Sequence, residues 1–199
     1  MRSPGSPAPY THPDELRDDL LVLSRALQSI RAGRLVAFYV DPLVRLVEAI
    51  GFHLAALDIR QNSAYLNQAM AQLLDSAGVP DGASFPSWPE ERRLALLEEE
   101  LAHPRPLSHP SMQMGSEARE TIDTLQVLAA TLDRASQGPL GGFIVSMTSR
   151  LSDLLVVYAL GKETGATRMT PGGLTCRIPI IPLFETEDDL RRSDSIMQA

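Results

Sequence analysis

Apolar residues recur every three or four positions in most of the chain, which is the period of an amphipathic α-helix. The first such stretch begins at Leu16 and continues with Leu20, Leu23, Leu27 and Ile30. This pattern, together with residues that open and close helices, predicts seven helices, over residues 16–30, 42–50, 63–78, 87–101, 116–132, 151–165 and 187–197. The sequence therefore predicts a protein in which helix predominates.

Residues that begin and end helices flank most of these stretches. Gly33, Gly51 and Gly78 are predicted to follow helix ends, and Asp41 with Pro42 is predicted to open the second helix. Two capping boxes are predicted, Ser87 with Glu90 and Thr186 with Asp189, and Ser152 with Asp153 is predicted to open the helix between them.

Three shorter runs have the composition of strands, and each precedes a helix. They are 51–63 (GFHLAALDIRQNS), 141–149 (GGFIVSMTS) and 176–186 (CRIPIIPLFET). Strands that alternate with helices predict a parallel sheet covered by those helices. In the first run Leu57 and Ile59 would share one face, while Asp58 and Arg60 would share the other. The alternative is an exposed antiparallel strand with a surface ion pair of little energetic value.

Polar residues follow the carboxyl ends of these strands, where parallel strands bring their ends together. Arg60, the segment 146–148 and Glu185 are therefore expected to meet at one edge of the sheet. A guanidinium binds phosphate or carboxylate with two parallel hydrogen bonds, and a carboxylate binds hard divalent cations. This pattern indicates a site for a small phosphorylated acid. Ion pairs that only satisfy strand ends are the alternative reading.

Composition narrows the class of protein. The 199 residues carry a net charge of −7 and are 44% hydrophobic, as in an ordinary globular protein. The acidic balance argues against nucleic-acid binding, and neither a membrane span nor a secretory signal is recognisable, so a cytoplasmic location is expected.

Cys176 is the only cysteine, and the four histidines lack the spacing of metal ligands. Glu98, Glu99 and Glu100 are expected to form a solvated helix face. Residues 1–13 are predicted to be a flexible stretch that precedes the folded segment 14–199.

Three blocks of this sequence, in this order, resemble phosphoenolpyruvate carboxylase of the bacterial type. They are GFHLAALDIRQNS, FIVSMTSRLSDLLVVYALGKETG and PLFETEDDLRRSDSIM, with looser matches at ELRDDLLVLSRAL, EELAHPRPL and SEARETIDTLQVLA. The resemblance implies an α/β fold that forms part of a phosphoenolpyruvate-binding TIM-type barrel, with about three strands here and long helical insertions. It also implies a carboxy-lyase that joins phosphoenolpyruvate and bicarbonate to give oxaloacetate and phosphate.

The resemblance assigns roles to three residues. Arg60 of DIRQ would bind the phosphate-bearing substrate, Leu183 would belong to the apolar pocket around the reacting carbons, and Glu185 of PLFET would be a ligand of Mg²⁺ or Mn²⁺. The family's catalytic histidine has no counterpart in these residues, and its second metal-binding carboxylate and its Gly- and Arg-rich loops would lie beyond Ala199. No catalytic residue is therefore assigned.

These departures predict an internal segment of the enzyme that needs the remainder of the carboxylase chain. The resemblance implies that the complete enzyme is a homo-oligomer, a tetramer. Two open sheet edges would leave the segment marginally stable or self-associating. One alternative is a non-catalytic, degenerate helical module that acts in protein–protein association. Another is a different phosphate-handling barrel enzyme, against which the DIRQ and PLFET pair counts.

Overall fold

The computed structural model describes residues 9–109, 111–134 and 140–198, which divide into two units. The first unit covers 9–56, and the second covers 57–134 together with 140–198. Of the predicted flexible stretch 1–13, residues 1–8 lie outside the described residues, and the first helix begins at Pro13. None of the helices in the described ranges has the length and apolar character needed to cross a membrane.

The first unit is entirely helical. It consists of α1 (Pro13–Ser29), the single turn α2 (Gly33–Leu35), a π-helical turn at Val36–Val40 and α3 (Asp41–Ile50). α1 packs along α3, and the side chains of Val36 and Val40 are buried. The predicted stop at Gly51 is confirmed, since this residue has a φ of +52° and follows the last residue of α3.

Two predicted helix boundaries in this unit are wrong. Ser29 is the last residue of α1, and Gly33 is not its C-cap as predicted, because Arg31 takes the left-handed conformation with φ of +63° and Gly33 already begins α2. Asp41 does not cap a new helix, because the chain is already helical when it reaches α3. Pro42 cannot donate a helical hydrogen bond, and the wide π turn directly before it accommodates this residue.

The second unit is a helix-rich α/β structure around a three-stranded parallel sheet. Its helices are α4 (Ser63–Ser76), α5 (Glu90–Ala102), α6 (Ser116–Arg134), α7 (Leu151–Lys162) and α8 (Glu187–Gln198), with a 3₁₀ turn at Gly82–Ser87. Its strands are β1 (Leu57–Asn62), β2 (Leu140–Ser146), β3 (Thr167–Thr170), β4 (Gly173–Cys176) and β5 (Ile180–Pro182). The parallel sheet has the order β1-β2-β5, and Ile59 and Phe143 are partners in its register.

The predicted parallel sheet is confirmed, and the described strands leave it open. A closed barrel is not formed by residues 57–134 and 140–198. Of the apolar pair predicted on β1, Ile59 packs against the core, whereas Leu57 is 68% exposed beside an irregularity in the pairing with β2. The core lies between the sheet and the helices, where α4 packs against α6 and α7.

The predicted long strand at 176–186 is wrong, because two separate strands share that stretch. Cys176 ends β4, which pairs antiparallel with β3 in a hairpin that was not predicted from the sequence. Only Ile180–Pro182 joins the parallel sheet. Pro179 and Pro182 have no amide hydrogen to donate, which restricts how far this strand can extend its ladder. Cys176 is half-buried, and its Sγ accepts a hydrogen bond from the Thr167 hydroxyl.

The two predicted capping boxes have different outcomes. The Thr186 hydroxyl accepts from the Asp189 amide at 3.1 Å and donates to the Asp189 carboxylate, so Thr186 caps α8 as predicted. Ser87 caps nothing, because its hydroxyl donates to the Ser84 carbonyl inside the 3₁₀ turn and Pro89 precedes α5 without a side-chain cap. Glu90 instead accepts from the Ser152 amide and hydroxyl at the start of α7.

This difference predicts unequal effects of two otherwise similar substitutions. Thr186→Ala should lower the free energy of unfolding by about 1 kcal/mol, because the first turn of α8 loses the acceptor for one of its amides. Ser87→Ala should change it by no more than a few tenths of that amount, since no helix amide loses a partner. Urea unfolding of the two variants measures both values. Equal destabilisation would show that Thr186 contributes nothing as a cap.

Candidate active site

The carboxyl ends of the three parallel strands meet around the side chain of Glu185. Its Oε1 accepts a hydrogen bond from Nη2 of Arg60 at 2.9 Å, and its Oε2 accepts from the amide of Met147 at 2.8 Å. Arg60 lies on β1, Met147 directly follows β2, and Glu185 follows β5. The structure thus brings together Arg60 and Glu185, which are 125 residues apart in the sequence.

The segment 146–148 contributes its backbone to this cluster. The Ser146 hydroxyl lies 3.4 Å from the Gln61 carbonyl and the Thr148 hydroxyl donates to the Val145 carbonyl, so both hydroxyls bond to strand backbone. The group that reaches Glu185 is the amide of Met147. We expected this segment at the strand ends, and it is there, but the contact comes from a peptide group that no sequence motif marks.

Met147 is held in an uncommon backbone conformation. Its φ is +56°, a left-handed value that a residue with a long side chain rarely adopts. Its carbonyl accepts from the Ser63 hydroxyl at 2.8 Å, while its amide donates to Glu185. Partners on both sides of the residue therefore stabilise a conformation that costs free energy.

Leu183 lies beside this turn, two residues before Glu185. Its amide donates to the Val145 carbonyl at 2.9 Å, and its carbonyl accepts from the Thr148 amide at 3.1 Å. The half-buried Leu183 thereby continues the pairing between β2 and β5 beyond the last residue of β5. This pairing holds Leu183 beside β2, and it thereby places Glu185, two residues later, at the end of the sheet.

The Arg60–Glu185 ion pair is accessible to solvent, with 58% of the arginine side chain and 33% of the glutamate side chain exposed. Exposed pairs of this kind contribute little to folding stability. A guanidinium has five N–H donors, and Glu185 occupies one of those of Arg60 in this geometry. Arg60 therefore keeps donors for an anion that reaches the strand ends.

Glu185 has the chemistry of a ligand for a hard divalent cation. Each of its oxygens accepts one hydrogen bond and retains a second lone pair, so the carboxylate fits Mg²⁺ or Mn²⁺ as one ligand of several. Within residues 9–109, 111–134 and 140–198, no three His, Cys, Asp or Glu side chains are grouped so that they could hold a metal ion. These residues therefore offer one carboxylate ligand and no assembled metal centre.

A second layer of polar contacts supports the turn after β2. Oδ2 of Asp153 accepts from the amides of Ser149 and Arg150, each at 3.1 Å, which confirms that Asp153 opens α7. Oδ1 of Asp153 accepts from Nδ2 of Asn67 and from Nη2 of Arg93. The sequence marks Asp153 only as a helix opener, since its partners Asn67 and Arg93 lie on other helices.

Tyr65, on the helix that follows β1, is engaged by another carboxylate. Its hydroxyl donates to Oε2 of Glu120 at 2.6 Å, and this hydrogen bond raises the pKa of Tyr65 to about 12. Tyr65 is consequently a neutral phenol at physiological pH. It has the character of a hydrogen-bond donor and not of a general base.

Comparison of the sequence with known proteins shows the family of this chain. A sequence model of phosphoenolpyruvate carboxylase matches residues 2–199. The chain belongs to the phosphoenolpyruvate carboxylase family. The predicted resemblance is thus confirmed over nearly the whole chain.

Curated phosphoenolpyruvate carboxylases match almost all of this chain and a small part of their own length. The protein from Rhodopseudomonas palustris (strain BisA53) is 42% identical over 193 residues, which is 96% of this chain and 20% of the relative. The protein from Rhodothermus marinus is 37% identical over 209 residues, which is 100% of this chain and 22% of the relative. The chain therefore spans about a fifth of the length of the curated relatives it matches.

Proposed function

We propose that this chain supplies part of the active site of a phosphoenolpyruvate carboxylase, which converts phosphoenolpyruvate and bicarbonate to oxaloacetate and phosphate. The observation that carries the proposal is the 2.9 Å contact between Arg60 and Glu185 at the carboxyl edge of a parallel sheet, in a chain of this family. The remainder of the carboxylase would close the sheet into a barrel and add further ligands. We further propose a cytoplasmic homo-oligomer, a tetramer, as the complete enzyme.

In this proposal Arg60 binds an anionic group of phosphoenolpyruvate. Its accessible guanidinium can form two parallel hydrogen bonds to phosphate or carboxylate oxygens, a geometry that an ammonium group cannot reproduce. Glu185 accepts a hydrogen bond from Nη2 of that guanidinium, so the arginine is oriented before the substrate arrives. Orientation of this kind lowers the entropic cost of binding.

Glu185 is proposed as one ligand of Mg²⁺ or Mn²⁺, and Leu183 as part of the apolar wall of the site. A cation held there would supply positive charge beside the enolate oxygen, which keeps its electron pair when the phosphoryl group of phosphoenolpyruvate is transferred to bicarbonate. Leu183, two residues earlier, would exclude water from the reacting carbon, because an exposed enolate is readily protonated. The Met147 amide keeps the Glu185 carboxylate at the strand end.

A chimera tests the proposal. We expect that replacing the matching fifth of the Rhodopseudomonas palustris enzyme with this chain gives bicarbonate-dependent oxaloacetate formation, because 96% of the chain aligns with that relative. The 199 residues alone should give none, because Arg60 and Glu185 remain exposed and the described residues offer one metal ligand. Coupling to malate dehydrogenase measures the rate of oxaloacetate formation.

Two results would contradict the proposal. One is a chimera that assembles like its parent, as native mass spectrometry reports, and yet forms no oxaloacetate. The other is bicarbonate-dependent turnover by the 199 residues alone. The first result would favour the alternative of a non-catalytic module, which would then be tested by its association with other chains.

A further inference from the structure

A deeply buried ion pair lies behind the candidate site, and the proposed chemistry does not use it directly. Arg93 on α5 and Asp153 on α7 are each 3% exposed in their side chains and contact each other at 3.2 Å. Asn67 on α4 donates to Asp153 at 2.9 Å and accepts from Arg93. Three helices thus meet at one polar cluster, which we call the Arg93 cluster: Asn67, Arg93 and Asp153.

Burying such a cluster costs free energy. Taking two charges out of water costs several kcal/mol per ion in general, and apolar residues of similar size often give equal or greater stability. Burial lowers the pKa of the Arg93 guanidinium, and the nearby carboxylates of Asp153 and Glu90 oppose that shift. Stability alone is therefore a poor explanation for this pair, and its position suggests another role.

The cluster connects to Glu185 through consecutive contacts. Asp153 accepts from the Ser149 and Arg150 amides, and these residues end the turn that begins at Met147. The Thr148 amide, within that turn, donates to the Leu183 carbonyl, and the Met147 amide donates to Glu185. One carboxylate oxygen of Asp153 thus faces the turn, while the other faces Arg93.

The strained conformation of Met147 makes this support necessary. A non-glycine residue at φ of +56° persists only where its surroundings hold it, and such residues concentrate at functional sites. The Ser63 hydroxyl fixes the turn from the start of α4, and Asp153 fixes it from α7. Arg93 also packs over the ring of Phe85 with its guanidinium carbon 4.8 Å from the ring centroid, which restricts where it can move.

We propose that Arg93 is a positioning residue, which orients Asp153 so that the 147–150 turn presents the Met147 amide to Glu185. The inference rests on the proposed role of Glu185 as a metal ligand and adds a buried determinant of its geometry. Arg93 acts through Asp153 and the turn, and it contacts neither Glu185 nor Arg60.

A matched pair of substitutions tests this in the 199-residue chain. Arg93→Met removes the charge that faces Asp153. Lys162→Met removes a second ion pair between the same two helices, Lys162 with Glu100, at the opposite end of α7. Both variants weaken the packing of α5 on α7, whereas only the first acts beside the turn. Hydrogen exchange of the Met147 amide by NMR in this chain, and Mn²⁺ titration followed by water proton relaxation in the chimera that carries the same substitutions, supply the two readouts.

We expect Arg93→Met to accelerate exchange of the Met147 amide at least about tenfold more than Lys162→Met does, relative to the chain without substitutions. It should also weaken Mn²⁺ binding about tenfold, the size of effect typical of residues that orient a metal ligand. Equal exchange rates at Met147 in the two variants would overturn the proposal, because loss of general packing would then explain the effect.

The two readouts separate this inference from the proposed function. Faster Met147 exchange in Arg93→Met, combined with an absence of Mn²⁺ binding at Glu185 in every form, would support the positioning role and contradict the metal role. If Arg93→Met does not fold, Asn67→Ala replaces it, since this change removes the bridging amide and leaves both charges. A smaller acceleration at Met147 is then expected, and an unchanged rate would overturn the positioning role.

Discussion

Glu185→Gln in the chimera should lower oxaloacetate formation about 100- to 1000-fold at saturating substrate. A metal ion contributes several kcal/mol to the stabilisation of developing negative charge, and each 1.36 kcal/mol corresponds to about tenfold in rate. Glutamine keeps the size of the side chain and an oxygen that can accept from the Met147 amide. It lacks the negative charge that binds the cation and pairs with Arg60.

Glu98→Gln is the matched control. Glu98 lies exposed on α5, so the same change of charge there should leave the rate nearly unaltered. Rates measured against Mn²⁺ concentration distinguish the two variants, because loss of a metal ligand raises the Mn²⁺ concentration needed for half-maximal activity. An unaltered Mn²⁺ dependence in Glu185→Gln would remove this residue from the metal site.

The structure leaves Glu185 fewer purely structural roles than its position in the sequence allows. A glutamate at a strand end can cap the helix that follows it, but Thr186 performs that function for α8. The remaining structural role is to join Arg60 to the Met147 turn. That role is independent of cations, so it predicts equal Mn²⁺ dependence in the variant and the parent.

The fold was predictable where local pattern and tertiary structure agree. Helical periodicity located α4 and α6 closely, and β-branched runs located β1 and β2, because these elements pack against the core, whereas α7, which has no exposed residue, was located by the polar residues that open it. The hairpin of β3 and β4 was missed, although its turn has the sequence Thr170-Pro171-Gly172-Gly173. Its strands are four residues each, too short to show a clear alternation of buried and exposed positions.

The candidate site was predictable in part for a similar reason. Arg60 and Glu185 follow directly from the rule that parallel strands bring their carboxyl ends together. The Met147 amide carries no side-chain signature, and the contacts of Asp153 cross 60 residues to Arg93 and 86 to Asn67. The acidic residues 98–100 were also predicted only in part. Glu98 and Glu99 are exposed as predicted, whereas Glu100 pairs with Lys162 on another helix.

Arg93→Met should lower the free energy of unfolding of the chain by about 3–5 kcal/mol. Removing one member of a buried pair leaves the other charge without compensation, and Asp153 is 3% exposed. Asp153→Asn should be destabilising for the same reason, because the Arg93 guanidinium is then buried opposite a neutral amide. Urea unfolding with a shared slope measures both losses.

Combining Arg93→Met with Asp153→Asn tests whether the two losses of stability come from the same ion pair. When Arg93 and Asp153 change together, no buried charge is left unpaired, so the combined loss should be smaller than the sum of the single losses by about 1–3 kcal/mol. Lys162→Met is the control, since its partner Glu100 is more exposed than Asp153 and can recover water when the lysine is removed. Additive losses for Arg93 and Asp153 would show that each residue is stabilised by other neighbours. In that case the guanidinium would not be what keeps the Asp153 carboxylate beside the turn.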